Sequence, residues 1–260
     1  MNQGLSCAGR RPNILEAVLS AVAWVGISFV TVFWCVPIAA FFFLRSVIDP
    51  RLERAHGFAS MWGRNLVALA PGSSVKVIGA ECIPKAGPVI FMANHQSYVD
   101  VPLLFHVRHH FKWMADAGLF HIPFFGWAMR MSGYIPVNRG NPKDGIRSLE
   151  QAKEWLARGV SIFVFPEGTR SRTGLFSRFQ TGGFRLAVAT GVPIVPIVVV
   201  GARQLLPRRS WVFRAGTRLH IEVLPPVHPK NSDPRSIRLL AVQVRNKMLK
   251  VYARLLKETR

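Results

Sequence analysis

Acidic side chains are scarce in this chain of 260 residues. Its 13 Asp and Glu stand against 34 Lys and Arg, a formal net charge of +21. Such an excess implies an anionic partner, either nucleic acid or lipid headgroups. Half of the residues are hydrophobic and the mean hydropathy is positive. Nucleic-acid binders are seldom so apolar, so the composition points to a membrane carrying anionic lipids and away from nucleic acid. Cysteine is sparse as well. Cys7, Cys35 and Cys82 lie far apart and form no CxxC or Cys/His pattern, which argues against a disulfide framework or structural zinc and suits a reducing compartment. There is no GxSxG nucleophile elbow, no GxxxxGK phosphate loop and no GxGxxG fingerprint, which argues against three large classes of enzyme.

The longest absence is of charge. Residues 17–44, AVLSAVAWVGISFVTVFWCVPIAAFFFL, contain no charged side chain, and about 20 apolar residues suffice to cross a bilayer. We read residues 1–48 as a membrane anchor. Either it is one spanning helix, or it breaks at Pro37 into two helices, roughly 13–34 and 38–48, that dip into one leaflet. Arginines flank both ends (Arg10, Arg11, Arg45, Arg51, Arg54), a symmetry that favours both ends on the cytoplasmic face.

Residues 49–260 alternate strand-like and helix-like segments. SVKVIGAECI reads as a strand pair or bent strand, and GPVIFMAN, YIPVNR, VSIFVFP and VPIVPIVVVG as strands. FFGWAMRMSG, GIRSLEQAKEWLARG and GGFRLAVATG have helical spacing. This predicts an α/β domain with a mixed, largely parallel sheet flanked by helices, its chemistry at loops beyond the strands' C-terminal ends. The tail SIRLLAVQVRNKMLKVYARLLKETR is an amphipathic helix that docks on the core with a basic outer face.

Three polar stretches follow predicted strands. In FMANHQSYVD, His95 is a candidate general base, and Asp100 can hold the imidazole in the required tautomer if residues 96–99 turn back. Asp100 also suits the cap of the helix that follows. In FPEGTRS, Glu167 and Thr169 offer hydrogen bonds to a hydroxylated ligand, Arg170 suits a phosphate and Gly168 permits close backbone approach. Arg139, at the end of GYIPVNRG, is a second candidate phosphate ligand, with Lys112 a weaker one. An acyl-serine at Ser97 would need unusual geometry beside His95. The other histidines give no metal-like pattern.

These stretches resemble the glycerolipid acyltransferase family, and within it the 1-acylglycerol-3-phosphate acyltransferases. NHQSYVD is similar to the family's N-H-x-S-x-x-D block, with His95 and Asp100 at its catalytic positions. GYIPVNRG resembles the second block, with Asn138 where an acidic residue is common. FPEGTRS and VPIVPIVV resemble the third and fourth. The resemblance covers about residues 73–225. It implies acyl transfer from acyl-CoA or acyl carrier protein to the free hydroxyl of lysophosphatidic acid at the cytoplasmic side of the inner membrane, with no cofactor or metal. His95 would act as base and Asp100 as its support. Arg139 and Arg170 would hold the phosphate, and Glu167, Gly168 and Thr169 would shape the glycerol site. The alternatives are the same chemistry on glycerol 3-phosphate or another lysolipid, such as a lyso-aminolipid, and a non-enzymatic basic membrane-binding protein.

Overall fold

A computed structural model describes residues 12–43, 49–138, 140–229 and 234–259. The first element, α1 (Ile14–Phe43), runs through Pro37 without interruption. The two-helix arrangement broken at that proline therefore does not form within these residues; the end of its second helix, 44–48, lies outside the described residues. Packing on both sides of Pro37 explains the continuity. Trp34 and Phe41 both lie against Phe58, and Ile38 is buried. A helix clamped on either side of a proline tolerates the missing amide.

One stripe of α1 docks along its whole length of about 45 Å. Glu16 pairs with Arg214 at 3.2 Å, the Ser20 hydroxyl accepts the Phe213 amide, and Trp24 stacks on Phe213. Further along, the Trp62 indole donates to Thr31 and the Cys35 thiol to the Phe124 carbonyl. The opposite perimeter, including Val18, Val22, Val25, Phe29, Val32 and Val36, is exposed.

The helix α2 (Glu53–Ala68) follows. Its first amides are capped by Asp49, whose carboxylate oxygens accept from Glu53 and Ala55 at 2.6 and 3.1 Å. The remaining elements are β1 (Ser74–Ile78), β2 (Ile90–Ala93), α3 (Asp100–Leu104), β3 (Phe111–Asp116), α4 (Phe125–Met131), β4 (Ile135–Val137), α5 (Pro142–Ala157), β5 (Ser161–Val164), α6 (Gly182–Thr190), β6 (Ile194–Val200), α7 (Ala202–Leu205), β7 (Arg218–Val223) and α8 (Pro234–Glu258). SVKVIGAECI, expected as a strand pair or bent strand, is the single strand β1 followed by a 3-10 turn at Ala80–Cys82. Gly79, at φ 76°, ends the strand.

The strands form one sheet in the order β1-β7-β6-β2-β5-β3-β4, parallel throughout except for the antiparallel β6–β7 pair. Side chains alternate between two apolar layers. Phe91, Ala93, Trp113, Phe163, Val195, Ile197 and Val199 face the side of α1 and α2. Ile90, Met92, Ile162, Val164, Ile194 and Val198 pack with residues of α5, α6 and α8 on the other. On α8, Val244, Met248 and Leu255 are fully buried, as the helical spacing of the tail predicts.

Gly63 marks how closely α2 approaches this core, since a Cβ there would overlap the Phe105 ring. Alanine in a helix normally gains about 1 kcal/mol over glycine. Here overpacking of about 1–3 kcal/mol opposes that gain. Gly63→Ala is expected to destabilise the protein by up to about 2 kcal/mol, read as a lower denaturation midpoint; a raised midpoint would contradict this packing.

Candidate active site

Strand parity aims His95 before any loop geometry is considered. It extends β2 on the parity of Phe91 and Ala93, which face the α1–α2 layer. Just before it, Asn94 continues the sheet with its side chain. Its amide donates to the Val199 carbonyl at 2.9 Å, and its oxygen accepts the Val199 amide at 2.8 Å. The strand end is thereby pinned to β6.

Beyond it the chain turns back, as the motif requires. His95 Nδ1 lies 2.8 Å from Asp100 Oδ2, and the same oxygen accepts the backbone N–H groups of Gln96 at 2.6 Å and Ser97 at 2.8 Å. Asp100 is fully buried, whereas the His95 side chain is 14% exposed. An Nδ1–H donated to a carboxylate leaves Nε2 with its lone pair, the tautomer a base needs. The imidazole lies flat on Phe165, with ring centres 4.0 Å apart and planes at 15°. Behind it Phe165 stacks on Trp113. Ser97 does not face the imidazole as a nucleophile would; its hydroxyl donates to the Leu206 carbonyl at 3.1 Å.

The loop after the adjacent parallel strand β5 meets this turn. The Ser171 amide donates to the His95 carbonyl at 2.8 Å. Glu167 is buried and fully engaged. Its Oε1 accepts the His95 amide at 3.0 Å, and its Oε2 accepts the Ser177 amide and hydroxyl at 2.9 and 2.6 Å. In this geometry Glu167 braces three chain segments rather than presenting oxygens to a ligand. Gly168 turns the loop at φ 72°, and its amide donates to the Phe165 carbonyl. Thr169 is exposed. Thr169, Arg170 and His95 line one cavity, and the Arg170 guanidinium lies 3.4 Å above the Tyr98 ring centre.

That cavity, of about 680 Å³, runs between α1, α2 and the sheet. Trp24, Ile27, Trp62, Val67, Phe105 and Met129 are among its mostly apolar lining. His95, Thr169 and Arg170 supply a polar group within a hydrocarbon-like wall, which suits an amphiphile.

Two expected phosphate ligands fall out differently. Arg139 lies outside the described residues. Lys112 is not at the site. Phe111 and Trp113 take the His95 side of the sheet, so Lys112 takes the other, fully buried. Its ammonium donates to the carbonyls of Leu52 and Ser132 at 3.1 and 3.0 Å and lies over the Trp155 ring. Burial lowers its pKa to about 7, opposed by Asp49 and Glu53.

Sequence reasoning did not find several supports. Gln96 donates to the Gly174 carbonyl and the Tyr252 hydroxyl at 2.9 and 2.7 Å. Arg245 donates to the carbonyls of Phe176 and Ser177, and Arg203 to those of Ser171 and Arg172. Tyr252 and Arg245 lie 156 and 149 residues from Gln96 on a helix that reads simply as amphipathic. Tyr98 had a local signal, being inside the His95 motif.

Residues 74–200 match the acyltransferase family. The chain is 32% identical to a 1-acyl-sn-glycerol-3-phosphate acyltransferase of Chlamydomonas reinhardtii over 230 residues, covering 86% of this chain and 68% of that protein. It is 33% identical to a chloroplastic 1-acyl-sn-glycerol-3-phosphate acyltransferase of Arabidopsis thaliana over 189 residues, covering 72% of this chain. The match spans about half the length of that relative, 52%. The crystal structure of the 1-acyl-sn-glycerophosphate acyltransferase PlsC from Thermotoga maritima is similar with a TM-score of 0.71. It is 28% identical, and the match covers 92% of this chain and 98% of that one.

The Lys112 environment has a consequence for stability. Between a folded pKa of about 7 and the ordinary 10.5, the unfolded chain binds more protons than the folded one. Stability therefore rises as pH rises across that window. Lys112→Met should flatten the rise, measured as the thermal midpoint between neutral pH and about pH 10; parallel curves for the two proteins would contradict the assignment.

Proposed function

The chain belongs to the acyltransferase family, and on that premise we propose that it moves an acyl chain from acyl-CoA or acyl carrier protein to the sn-2 hydroxyl of 1-acylglycerol 3-phosphate, giving phosphatidic acid. The observation that carries this reading is the 2.8 Å His95–Asp100 contact beside a large apolar cavity. Nε2 of His95 takes the acceptor's hydroxyl proton as that oxygen attacks the thioester carbonyl. The tetrahedral intermediate collapses, the C–S bond breaks, and the thiolate leaves and takes the proton back from the imidazolium. Asp100 stabilises the imidazolium between these steps. Arg170 holds the acceptor phosphate, and swings off Tyr98 to do so. Thr169 and the Gly168 turn border the glycerol, while Glu167 keeps the His95 and 167–177 loops in register. The cavity takes hydrocarbon.

We further propose that the enzyme sits on the cytoplasmic side of the inner membrane, with α1 lying in one leaflet rather than spanning. A spanning helix would carry its far end away from the domain. Here residue 16 and residue 41 both touch it, through Arg214 and Phe58. The bare perimeter of α1 then faces lipid and its docked stripe faces protein.

The decisive assay offers the purified protein lysophosphatidic acid, glycerol 3-phosphate and a lyso-aminolipid, each with labelled acyl-CoA and acyl carrier protein. We expect lysophosphatidic acid to be the acceptor. His95→Ala should lower turnover by roughly 10²–10⁴-fold while the thermal midpoint holds. Unchanged turnover in that variant excludes the base, and acylation of another acceptor alone reassigns the substrate.

A further inference from the structure

Two loops border one edge of α1 and carry features that a water-facing surface does not explain. Residues 122–127 expose Ile122, Phe124 and Trp127 by 46%, 44% and 54%. The Phe124 and Trp127 rings contact each other at 5.1 Å. Phe124 is the centre of a tight turn at φ 60°, ψ −59°, closed by the Phe125 amide donating to the Pro123 carbonyl at 2.7 Å. That γ-turn is rare and strained for a residue with a side chain. The second loop, residues 208–211, exposes Arg208, Arg209 and Trp211, the last by 54%, and Arg209 also has a positive φ of 66°. Two of the four non-glycine residues with positive φ among the described residues thus sit in these loops.

Both loops are joined to α1 by hydrogen bonds. The Cys35 thiol donates to the Phe124 carbonyl at 3.3 Å, and the Trp24 indole to the Trp211 carbonyl at 2.7 Å. Positions 24 and 35 are eleven residues apart, about three helical turns, so they lie on one edge of α1 about 16 Å apart. The loops therefore stand side by side along that edge, continuous with the apolar perimeter. A helix alone can roll about its axis; a helix with two lateral contacts defines a plane. Tryptophan favours the headgroup level. No acidic residue occurs between residues 168 and 221, a stretch containing nine arginines, so the second loop suits an anionic lipid surface.

We propose that residues 122–127 and 208–211 are two membrane-inserting feet that fix the roll and depth of the enzyme on an anionic lipid monolayer. This rests on the membrane attachment proposed above for α1. The feet hold the cavity at a set height against the leaflet: Ile122 and Phe125 line it from one foot, and Leu206 and Phe213, which flank the other, line it too.

The test uses the full chain with its three cysteines replaced by alanine and single cysteines introduced as Val25→Cys, Ile122→Cys, Trp211→Cys or Ile146→Cys. Each carries an environment-sensitive fluorophore and is mixed with phosphatidylglycerol-containing vesicles. Ile146 is 63% exposed on α5, in the opposite layer. We expect blue-shifted emission and quenching by nitroxide-bearing lipid at 25, 122 and 211, and no change at 146. Quenching at 25 with either loop label left in water overturns the feet and spares the α1 reading. A label at 25 left in water overturns both, and equal quenching at 146 overturns the defined orientation. Arg209→Gln should weaken partition onto anionic vesicles about fivefold; unaltered partition would remove the cationic foot.

Discussion

One carboxylate oxygen holds the site together. Asp100 Oδ2 takes the imidazole N–H and two backbone amides at once. These three contacts close the turn after β2 and set the ring's tautomer in the same act. A hydrogen bond to a charged, buried acceptor is worth about 1.5–3 kcal/mol, so the turn and the tautomer are coupled. Asparagine could accept the amides but would not hold an imidazolium, and glutamate would have to fold a longer chain into the same turn. Glu167 repeats the device one strand over, tying β5's loop to the His95 amide and to Ser177. The parallel pairing of β2 and β5 brings the two turns to the same end of the sheet. Neither strand could present its motif to the other in an antiparallel pair.

Much of this was legible because short polar motifs follow strongly apolar strands. The spacing of His95 and Asp100 allowed a partnership if residues 96–99 turned back, and the resemblance of NHQSYVD to a family block singled that pair out. Glu167 was legible as important but not as a brace, because its partner Ser177 comes from a loop with no motif of its own. Lys112 misled for a reason that strand parity could have supplied: Phe111 and Trp113 claim the cavity side, so the residue between them points away. The helix α2 is hard to read from the sequence, because Gly57, Gly63 and two arginines break its apolar stripe. Its glycine at 63 is a packing device against Phe105, and such a device weakens the very periodicity by which a helix is recognised.

The long apolar segment illustrates a different limit. Composition shows that residues 17–44 avoid water; it does not show what replaces the water. Within α1 the polar residues are few. The exposed Ser28 hydroxyl donates to the helix's own Trp24 carbonyl, while Glu16, Ser20 and Thr31 lie on the docked stripe and find partners beyond the helix. Their spacing, four and then eleven residues, keeps them on one face of a helix. A helix surrounded by lipid gains nothing from a one-sided polar stripe, whereas a helix laid on a protein surface does. The polar minority, not the apolar majority, therefore distinguishes the two arrangements.

The same reasoning links the anchor to catalysis. Trp24, Ile27, Thr31 and Cys35 belong to α1's cavity wall, and Val25, Phe29 and Val32 to its bare perimeter. On the membrane placement proposed above, one helix would separate bulk lipid from the space beside His95 by the thickness of its own side chains. An acyl chain passing from one to the other exchanges one apolar environment for another, with almost no change in hydrophobic free energy, because transfer favours burial only when the starting point is water. In the proposed reaction what remains to be desolvated is the acceptor's polar head, and Arg170 lines the same cavity. The nine arginines of residues 168–221 would act in the same direction as the helix in the proposed reaction: they attract the phosphate, and little hydrocarbon must cross water to reach the base.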